Sequence, residues 1–243
     1  MPLGEHETHP YLNYWRNLTS IDTFDSLLLG SYPIYCISHS VPIEQTGVMK
    51  RQNWNLDALR QWFYGSRANK TENLIQSIFP EGQGSLETIL TQNNFLVSDV
   101  VNSCQRLNYS ALDKDLIKIE LNLGVLDLLQ LKNMKHIYFT SLKGGLPFSL
   151  FQKILSEEYT ESVITYTAIG NSGNLLLNID SREYYLSFLD SPSPTAERFK
   201  NSNGWKRHIK VFPNSTFPSY LLEQWFQLIR KKNLEYDGTN PLN

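Results

Sequence analysis

Three apolar segments of this chain each end at a polar loop, and this pattern restricts the folds available to it. The segments are Asp25–Gly30, Phe95–Val100 and Glu183–Leu189, and the loops after them begin at Ser31, Asn102 and Ser191. Short apolar runs that stop at glycine or polar residues are typical of buried parallel strands. In an open α/β sheet, ligands bind in the crevice outside the carboxyl ends of the strands. The sequence therefore predicts a ligand site formed by these three loops.

Segments with helical spacing alternate with the strands along the chain. The patterns predict helices over residues 56–63, 73–79, 85–93, 115–131, 148–158 and 220–231, a strand over 135–140, and a hairpin of 162–168 with 175–179. This alternation indicates the α/β class, a three-layer α/β/α domain with a mostly parallel central sheet. Without internal repeats or a clear linker, we expect residues 1–243 to form a single domain, with an N-terminal arm over about residues 1–22.

The charge of the chain is nearly balanced but unevenly distributed. The formal net charge is −2, so the chain as a whole is not a polycation that coats nucleic acid. The segment from 198 to 210 holds no acid and five basic residues, which are Arg198, Lys200, Lys206, Arg207 and Lys210. Such a patch can bind phosphate while the remaining surface stays neutral, although a solvated basic loop has the same composition.

Several classes of site find no support in the sequence. Only Cys36 and Cys104 are present, and neither His-x-x-x-His nor Cys-x-x-Cys occurs, so we expect no metal and no organic cofactor. The serine elbow Gly-x-Ser-x-Gly is absent, and Gly170–Gly173 fits a hairpin turn better than a phosphate loop. The N-terminus has no signal-peptide pattern, and no apolar run reaches the roughly 18 residues of a membrane helix. We expect a cytoplasmic monomer with no membrane contact and no protein partner.

Four segments, in order, resemble the motifs of the uracil-DNA glycosylase superfamily. Gly30-Ser-Tyr-Pro33 is similar to its first motif, and Phe63-Tyr-Gly-Ser-Arg-Ala-Asn69 to its aromatic-x-x-x-x-Asn segment. Leu96–Arg106, followed by Ser110-Ala-Leu-Asp113, resembles the branch that removes hypoxanthine from DNA. Ser191-Pro-Ser-Pro-Thr-Ala196 resembles the second superfamily motif, which pinches the DNA backbone. The resemblance implies a uracil-DNA glycosylase-like fold and DNA as the partner.

The resemblance also implies roles for individual residues. Asn69 and Asp99 are the candidate catalytic residues, and the candidate base-binding residues are Gly30, Ser31, Tyr32 and Tyr64. Asn69 can position water or read a base edge, or it caps a helix. Asp99 can act as a general base or stabilise a cationic sugar, or it is a structural carboxylate. Asp113 is expected to cap a helix.

Aromatic stacking and phosphate contacts complete the expected site. Tyr64 is the candidate stacking ring, with Phe63 as the alternative, and both rings also suit a hydrophobic core. The candidate DNA-binding residues are Ser191, Ser193, Arg198, Lys200, Lys206 and Arg207. Hydroxyls and cations of this kind position DNA without reading its sequence.

The chain also departs from the classical uracil enzymes. No acid or amide follows Gly30 closely, and Asp190 precedes Ser191-Pro192 where those enzymes carry a histidine motif. We therefore expect a monofunctional glycosylase that flips hypoxanthine or another non-standard base out of DNA and leaves an abasic site. The alternatives are an antiviral glycosylase against bulky modified bases of phage DNA, and a DNA-binding module without catalysis.

Overall fold

The computed structural model describes residues 5–32, 71–82, 84–107, 113–170, 173–192 and 202–236 of the chain. Its strands are β1 (Glu7–Thr8), β2 (Ser26–Gly30), β3 (Phe95–Asp99), β4 (Val101–Arg106), β5 (Leu116–Leu121), β6 (His136–Phe139), β7 (Ile164–Ala168), β8 (Leu175–Ile179) and β9 (Arg182–Phe188). Its α-helices are α1 (Thr71–Ile78), α2 (Leu86–Gln92), α3 (Gly124–Leu129), α4 (Leu146–Glu158), α5 (Asn203–Val211) and α6 (Phe217–Tyr236).

A mixed six-stranded sheet forms the centre of the described structure. Its strand order is β3-β2-β6-β9-β8-β7, and the first four strands are parallel. The hairpin of β7 and β8 joins β9 in antiparallel pairing and extends the sheet at that end. The prediction of a mostly parallel sheet therefore holds for these four strands, which include the motif strands, and the hairpin makes the whole sheet mixed.

Helices cover both faces of this sheet. Side chains alternate in direction along a strand, so Leu27 and Leu29 face one core and Leu28 faces the other. Helices α3 and α4 pack on the first face, and α1, α2, α5 and α6 pack on the second. This arrangement agrees with the expected three layers and explains why β2 is buried along its whole length.

A second, three-stranded antiparallel sheet lies beside the first, in the order β1-β4-β5. The predicted helix over residues 115–131 is wrong, because β5 occupies its first half and α3 its second. Along β5, exposed Lys118 and Glu120 alternate with partly buried apolar residues, which is the period of a strand. The short α3 that follows makes the combined segment look amphipathic over a longer span.

The N-terminal segment covers the edge of the parallel sheet. β1 pairs with β4, and short 3₁₀ turns follow at Tyr14–Asn17 and Ile21–Thr23. The backbone N–H of Val97, on edge strand β3, donates a hydrogen bond to Tyr14 Oη at 2.8 Å. An edge strand exposes unpaired backbone groups, and this bond satisfies one of them. The segment is thus an integral part of the fold.

The other predicted elements have mixed outcomes. Helices close to the predicted bounds occur at α1, α2, α4 and α6, and Ser85 caps α2 by accepting a bond from the Thr88 N–H at 3.2 Å. The basic segment, which carried no secondary-structure prediction, contains helix α5. The predicted helix over 56–63 lies outside the described residues.

Candidate active site

The carboxyl ends of the parallel strands bring the first and third motifs together. Gly30 at the end of β2 pairs with Asp99 at the end of β3. The Val100 N–H donates to the Gly30 carbonyl at 3.0 Å, and the Val101 N–H donates to the Ser31 carbonyl at 3.2 Å. The two motifs therefore lie side by side at the edge where an open α/β sheet binds its ligands.

Asp99 is buried and is hydrogen-bonded to a histidine that the motifs do not contain. His9 Nε2 lies 2.8 Å from Asp99 Oδ2, and the two side chains are 0% and 6% exposed. His9 Nδ1 accepts a hydrogen bond from the Tyr11 backbone N–H at 3.1 Å. Because Nδ1 accepts, the neutral imidazole carries its hydrogen on Nε2 and donates it to the carboxylate.

The backbone around Asp99 is held by a buried amide. Asn122 Nδ2 donates to the Asp99 carbonyl at 2.8 Å and to Ser98 Oγ at 3.1 Å. Asn122 Oδ1 in turn accepts from the Gly124 N–H at 3.1 Å, where α3 begins. These bonds fix the carboxyl end of β3 against the first turn of α3.

A second carboxylate lies beside Ser31. Ser31 Oγ donates to Asp113 Oδ1 at 2.6 Å, so the hydroxyl predicted to bind the base is engaged with an acid. Burial raises the pKa of Asp113, the Ser31 bond opposes that rise, and the charge of nearby Asp99 adds to it. Asp113 opens a 3₁₀ turn at Asp113–Asp115, and its carboxylate bonds to Ser31. Two acids with different partners thus share this edge of the sheet.

Tyr32, also predicted to bind the base, packs among polar neighbours. Its ring lies 5.5 Å edge-on from the His9 ring and 5.3 Å from the Arg106 guanidinium. Burial raises the pKa of the Tyr32 hydroxyl well above its usual range, with Cys104 and Glu7 adding to the rise. Tyr32 therefore helps to enclose His9 from the side of β4.

The second motif begins at the end of β9, three strands away from Asp99. At about 4.8 Å between neighbouring strands, the two ends are about 14 Å apart. Asp190 is buried, and its Oδ2 accepts hydrogen bonds from Ser202 Oγ at 3.0 Å, from Gln224 Nε2 at 3.2 Å and from Tyr220 Oη. Asp190 thus fastens both α5 and α6 to the end of β9.

The predicted DNA-binding residues fall into two groups. Ser191 is half-buried directly after Asp190, while Lys206 and Arg207 are exposed on α5. The predicted residues that lie outside the described part of the chain are Ser193, Arg198 and Lys200, together with Asn69 and Tyr64 from the second segment. The structure therefore brings together Gly30, Ser31, Tyr32 and Asp99, and the roles of all the candidate site residues stay predictions.

Sequence reasoning missed His9 and Asn122 and gave Asp113 only a capping role. His9 and Asp99 are 90 residues apart, and nothing in the local pattern around His9 indicates burial. No local sequence signal locates these contacts. Glu7 and His9 are both buried in the structure, and a buried polar group requires a partner, which in both cases belongs to the third motif: Arg106 for Glu7 and Asp99 for His9.

A cavity of about 580 Å³ adjoins the site on the side of β5 and α3. Asn122, which supports Asp99, lines it, whereas Asp99, Ser31 and Tyr32 do not. The cavity is therefore not the expected base pocket, and we assign it no ligand.

Two further observations concern metal and membrane binding. In the described ranges, no three His, Cys, Asp or Glu side chains are grouped to hold a metal ion. None of the helices in the same ranges is long and apolar enough to cross a membrane.

Comparisons with known proteins give a distant likeness to a solved structure. No protein-family model and no curated protein matches the chain. Among solved structures, the solution NMR structure of a "putative Uracil DNA glycosylase" from Methanosarcina acetivorans aligns with 86% of this chain and 97% of its own, at 16% identity and a TM-score of 0.41. A likeness of this degree leaves the function to be argued from the residues of the chain itself.

Proposed function

We propose that this chain is a DNA glycosylase that hydrolyses the N-glycosidic bond of a non-standard base and leaves an abasic site. The observation that carries the proposal is the buried Asp99–His9 pair at the carboxyl edge of the sheet. It lies where the Leu96–Arg106 motif meets the Gly30-Ser-Tyr-Pro33 motif, so the residues of the resemblance meet at one place. Because the two motifs meet there, we assign a catalytic role to this carboxyl edge of the sheet, which we call the catalytic edge.

The proposed reaction needs no cofactor and no covalent enzyme intermediate. The bond between sugar C1′ and the base nitrogen breaks, and the base leaves with the electron pair. The oxygen of a water molecule bonds to C1′, and the base ends protonated. The Asp99 carboxylate either accepts a proton from that water or stabilises the positive charge that develops on the sugar. No lysine is placed by a motif as a Schiff-base nucleophile, which favours a monofunctional enzyme.

The low exposure of Asp99 supports both roles. Charge interactions are stronger in a dry site than in water, because the effective dielectric constant is lower. The His9 bond keeps one carboxylate oxygen paired, which reduces the cost of burying the charge. A carboxylate held in this way needs little reorganisation when positive charge appears in front of it.

The base must leave the DNA stack to reach this edge. Extrusion costs a few kcal/mol, and the enzyme offsets it by stacking and hydrogen bonding in a pocket. We assign base contacts to Gly30, Ser31, Tyr32 and Tyr64, with Asn69 positioning water or reading the base edge. A glycine at position 30 allows a close approach of the backbone.

DNA binding is assigned to the same carboxyl edge of the sheet, at the end of β9, three strands away from Asp99. Ser191 and Ser193 would bond phosphate oxygens there, next to the charges of Arg198, Lys200, Lys206 and Arg207. The exposure of Lys206 and Arg207 on α5 supports this assignment. The hydrogen bonds of Asp190 to Ser202 and Tyr220 hold α5 and α6 in place against the end of β9.

We propose hypoxanthine as the first substrate to test. The segment Leu96–Arg106 is the one that resembles the hypoxanthine branch, and no acid or amide follows Gly30 as in the uracil enzymes. A bulkier modified base, such as those in phage DNA, is the alternative within the same chemistry.

The test is release of free base from oligonucleotides that each carry uracil, hypoxanthine, xanthine or a modified cytosine. Purified full-length protein should release hypoxanthine and leave abasic sites that alkali cleaves, without added metal. Release of a different base would confirm the enzyme and correct the substrate. Binding of the oligonucleotides with no base released from any of them would instead show a DNA-binding module.

A further inference from the structure

His9 reaches Asp99 because the N-terminal segment is fastened to β4. The Glu7–Thr8 strand pairs with Cys104 and Ser103, and the His9 N–H donates to the Asn102 carbonyl at 2.8 Å. These backbone bonds place His9 so that its side chain reaches Asp99.

The orientation of the imidazole is fixed from several sides. The Tyr11 N–H occupies Nδ1, and the rings of Tyr11 and Tyr32 lie nearly perpendicular to His9, at interplanar angles of 87° and 85°. With Nδ1 accepting and the ring held between two tyrosines, the Nε2–H points at Asp99 Oδ2 in the tautomer that the backbone dictates.

We propose that His9 is a positioning residue for base release, which rests on the proposed function of Asp99. Its Nε2–H holds the Asp99 carboxylate in the rotation that presents the second oxygen to the sugar or to water. His9 itself touches neither. A carboxylate without this bond can turn about its side-chain torsions, and a misplacement of about 1 Å can cost about 10²-fold in rate.

Two amide variants separate this role from a structural one. In His9→Gln the side-chain Nε2 can still donate to Asp99. In His9→Asn the shorter amide reaches only the position of Nδ1, where its oxygen still accepts from Tyr11. Both variants are uncharged and polar, and each keeps one of the two His9 bonds: His9→Gln keeps the donor to Asp99 and loses the acceptor for the Tyr11 N–H, and His9→Asn does the reverse.

The kinetic readout is the single-turnover rate of base release at saturating enzyme, with DNA affinity measured in parallel. His9→Asn should lower the rate about 10²-fold with unchanged affinity, and His9→Gln should recover most of it. In an Asp99→Ala background, His9→Asn should cause no further loss, because it acts through Asp99. A wild-type rate in His9→Asn, or an equal loss in both backgrounds, would overturn the proposal.

A second readout does not require activity. ¹⁵N NMR of the imidazole should report Nε2–H at His9, and Asp99→Ala should shift that signal while Asp127→Ala, at an exposed acid, should not. An Nδ1–H tautomer, or a signal insensitive to Asp99, would overturn the His9 proposal alone. Absence of base release by the wild type, with the NMR result as expected, would overturn the glycosylase proposal and leave the Asp99–His9 bond standing.

Discussion

Arg106 and Glu7 form an ion pair inside the protein. The Arg106 Nε lies 3.1 Å from Glu7 Oε1 and 3.0 Å from Glu7 Oε2, and both side chains are 2% exposed. Glu7 lies two residues before His9, so this ion pair holds the N-terminal segment in the buried position from which His9 reaches Asp99. The guanidinium also lies over the Tyr32 ring, which links the pair to the first motif.

Breaking this pair should be costly for stability. Glu7→Ala removes the carboxylate that pairs with the buried Arg106 charge, and such changes commonly cost about 3–5 kcal/mol. Urea unfolding measures the loss. The matched control is Glu5→Ala, an exposed acid two residues earlier, which should change the stability little. Equal effects of the two substitutions would contradict a buried ion pair.

The approach of α5 to α6 at Gly204 predicts a specific rescue. A Cβ at Gly204 would overlap Tyr220 Oη and lie 3.4 Å from the Tyr220 Cζ. Gly204→Ala should therefore destabilise the protein by about 1–3 kcal/mol, as overpacking does. Adding Tyr220→Phe removes the clashing oxygen, so the double variant should be more stable than the sum of the single effects predicts. Thermal unfolding of the four proteins tests this, and strict additivity would contradict the contact.

The basic surface of α5 should determine the salt dependence of DNA binding. Each phosphate neutralised adds about 0.9 to the slope of log affinity against log salt, so the double change Lys206→Ala, Arg207→Ala should flatten it by up to about 1.8. The rate at saturating enzyme should hardly change. Lys132→Ala, Lys153→Ala serves as the control, because both lysines are exposed and Lys153 lies on α4 in the opposite layer. Identical slopes for the two double variants would place the DNA on another surface.

Asp113 should impose a pH dependence on stability. Its raised pKa means that the folded protein holds this proton more tightly than the unfolded chain does. The stability that protonated Asp113 contributes is therefore present at low pH. It falls as the pH rises from about 3.9, the usual pKa of an aspartate, towards the raised pKa of the folded state. Asp113→Asn keeps an acceptor for Ser31 and has no proton to lose.

Urea unfolding from about pH 3.5 to 7 measures this effect. The difference in unfolding free energy between Asp113→Asn and the wild type should shift in favour of the variant across that window, and then stay level. A difference that is constant with pH would mean that Asp113 titrates alike in the folded and unfolded chains.

The central sheet was largely predictable because its signals are local. Leu27 to Leu29 form an apolar run that stops at Gly30, and the same pattern recurs at Phe95 to Asp99, so the sequence alone locates both strand ends. The position of Asp99 at the ligand edge follows from the rule for parallel sheets.

The partners of Asp99 were not predictable in this way. The arm around His9 reads as polar surface, and its burial depends on strand pairing with β4 about 100 residues later. Long-range pairing of short strands leaves little trace in local periodicity. The error at Leu116–Leu121 has another cause: the strand period of β5 runs directly into the short α3, so the two together look amphipathic over a longer span.

The most direct test of the account is the Asp99→Asn variant, which removes the negative charge and keeps the size of the side chain. With hypoxanthine-containing DNA and saturating enzyme, single-turnover base release should fall about 10²–10⁴-fold relative to the wild type. DNA affinity should persist, and the exposed control Asp127→Asn should react at the wild-type rate. A folded Asp99→Asn variant that releases base as fast as the wild type would contradict the assignment of the catalytic edge.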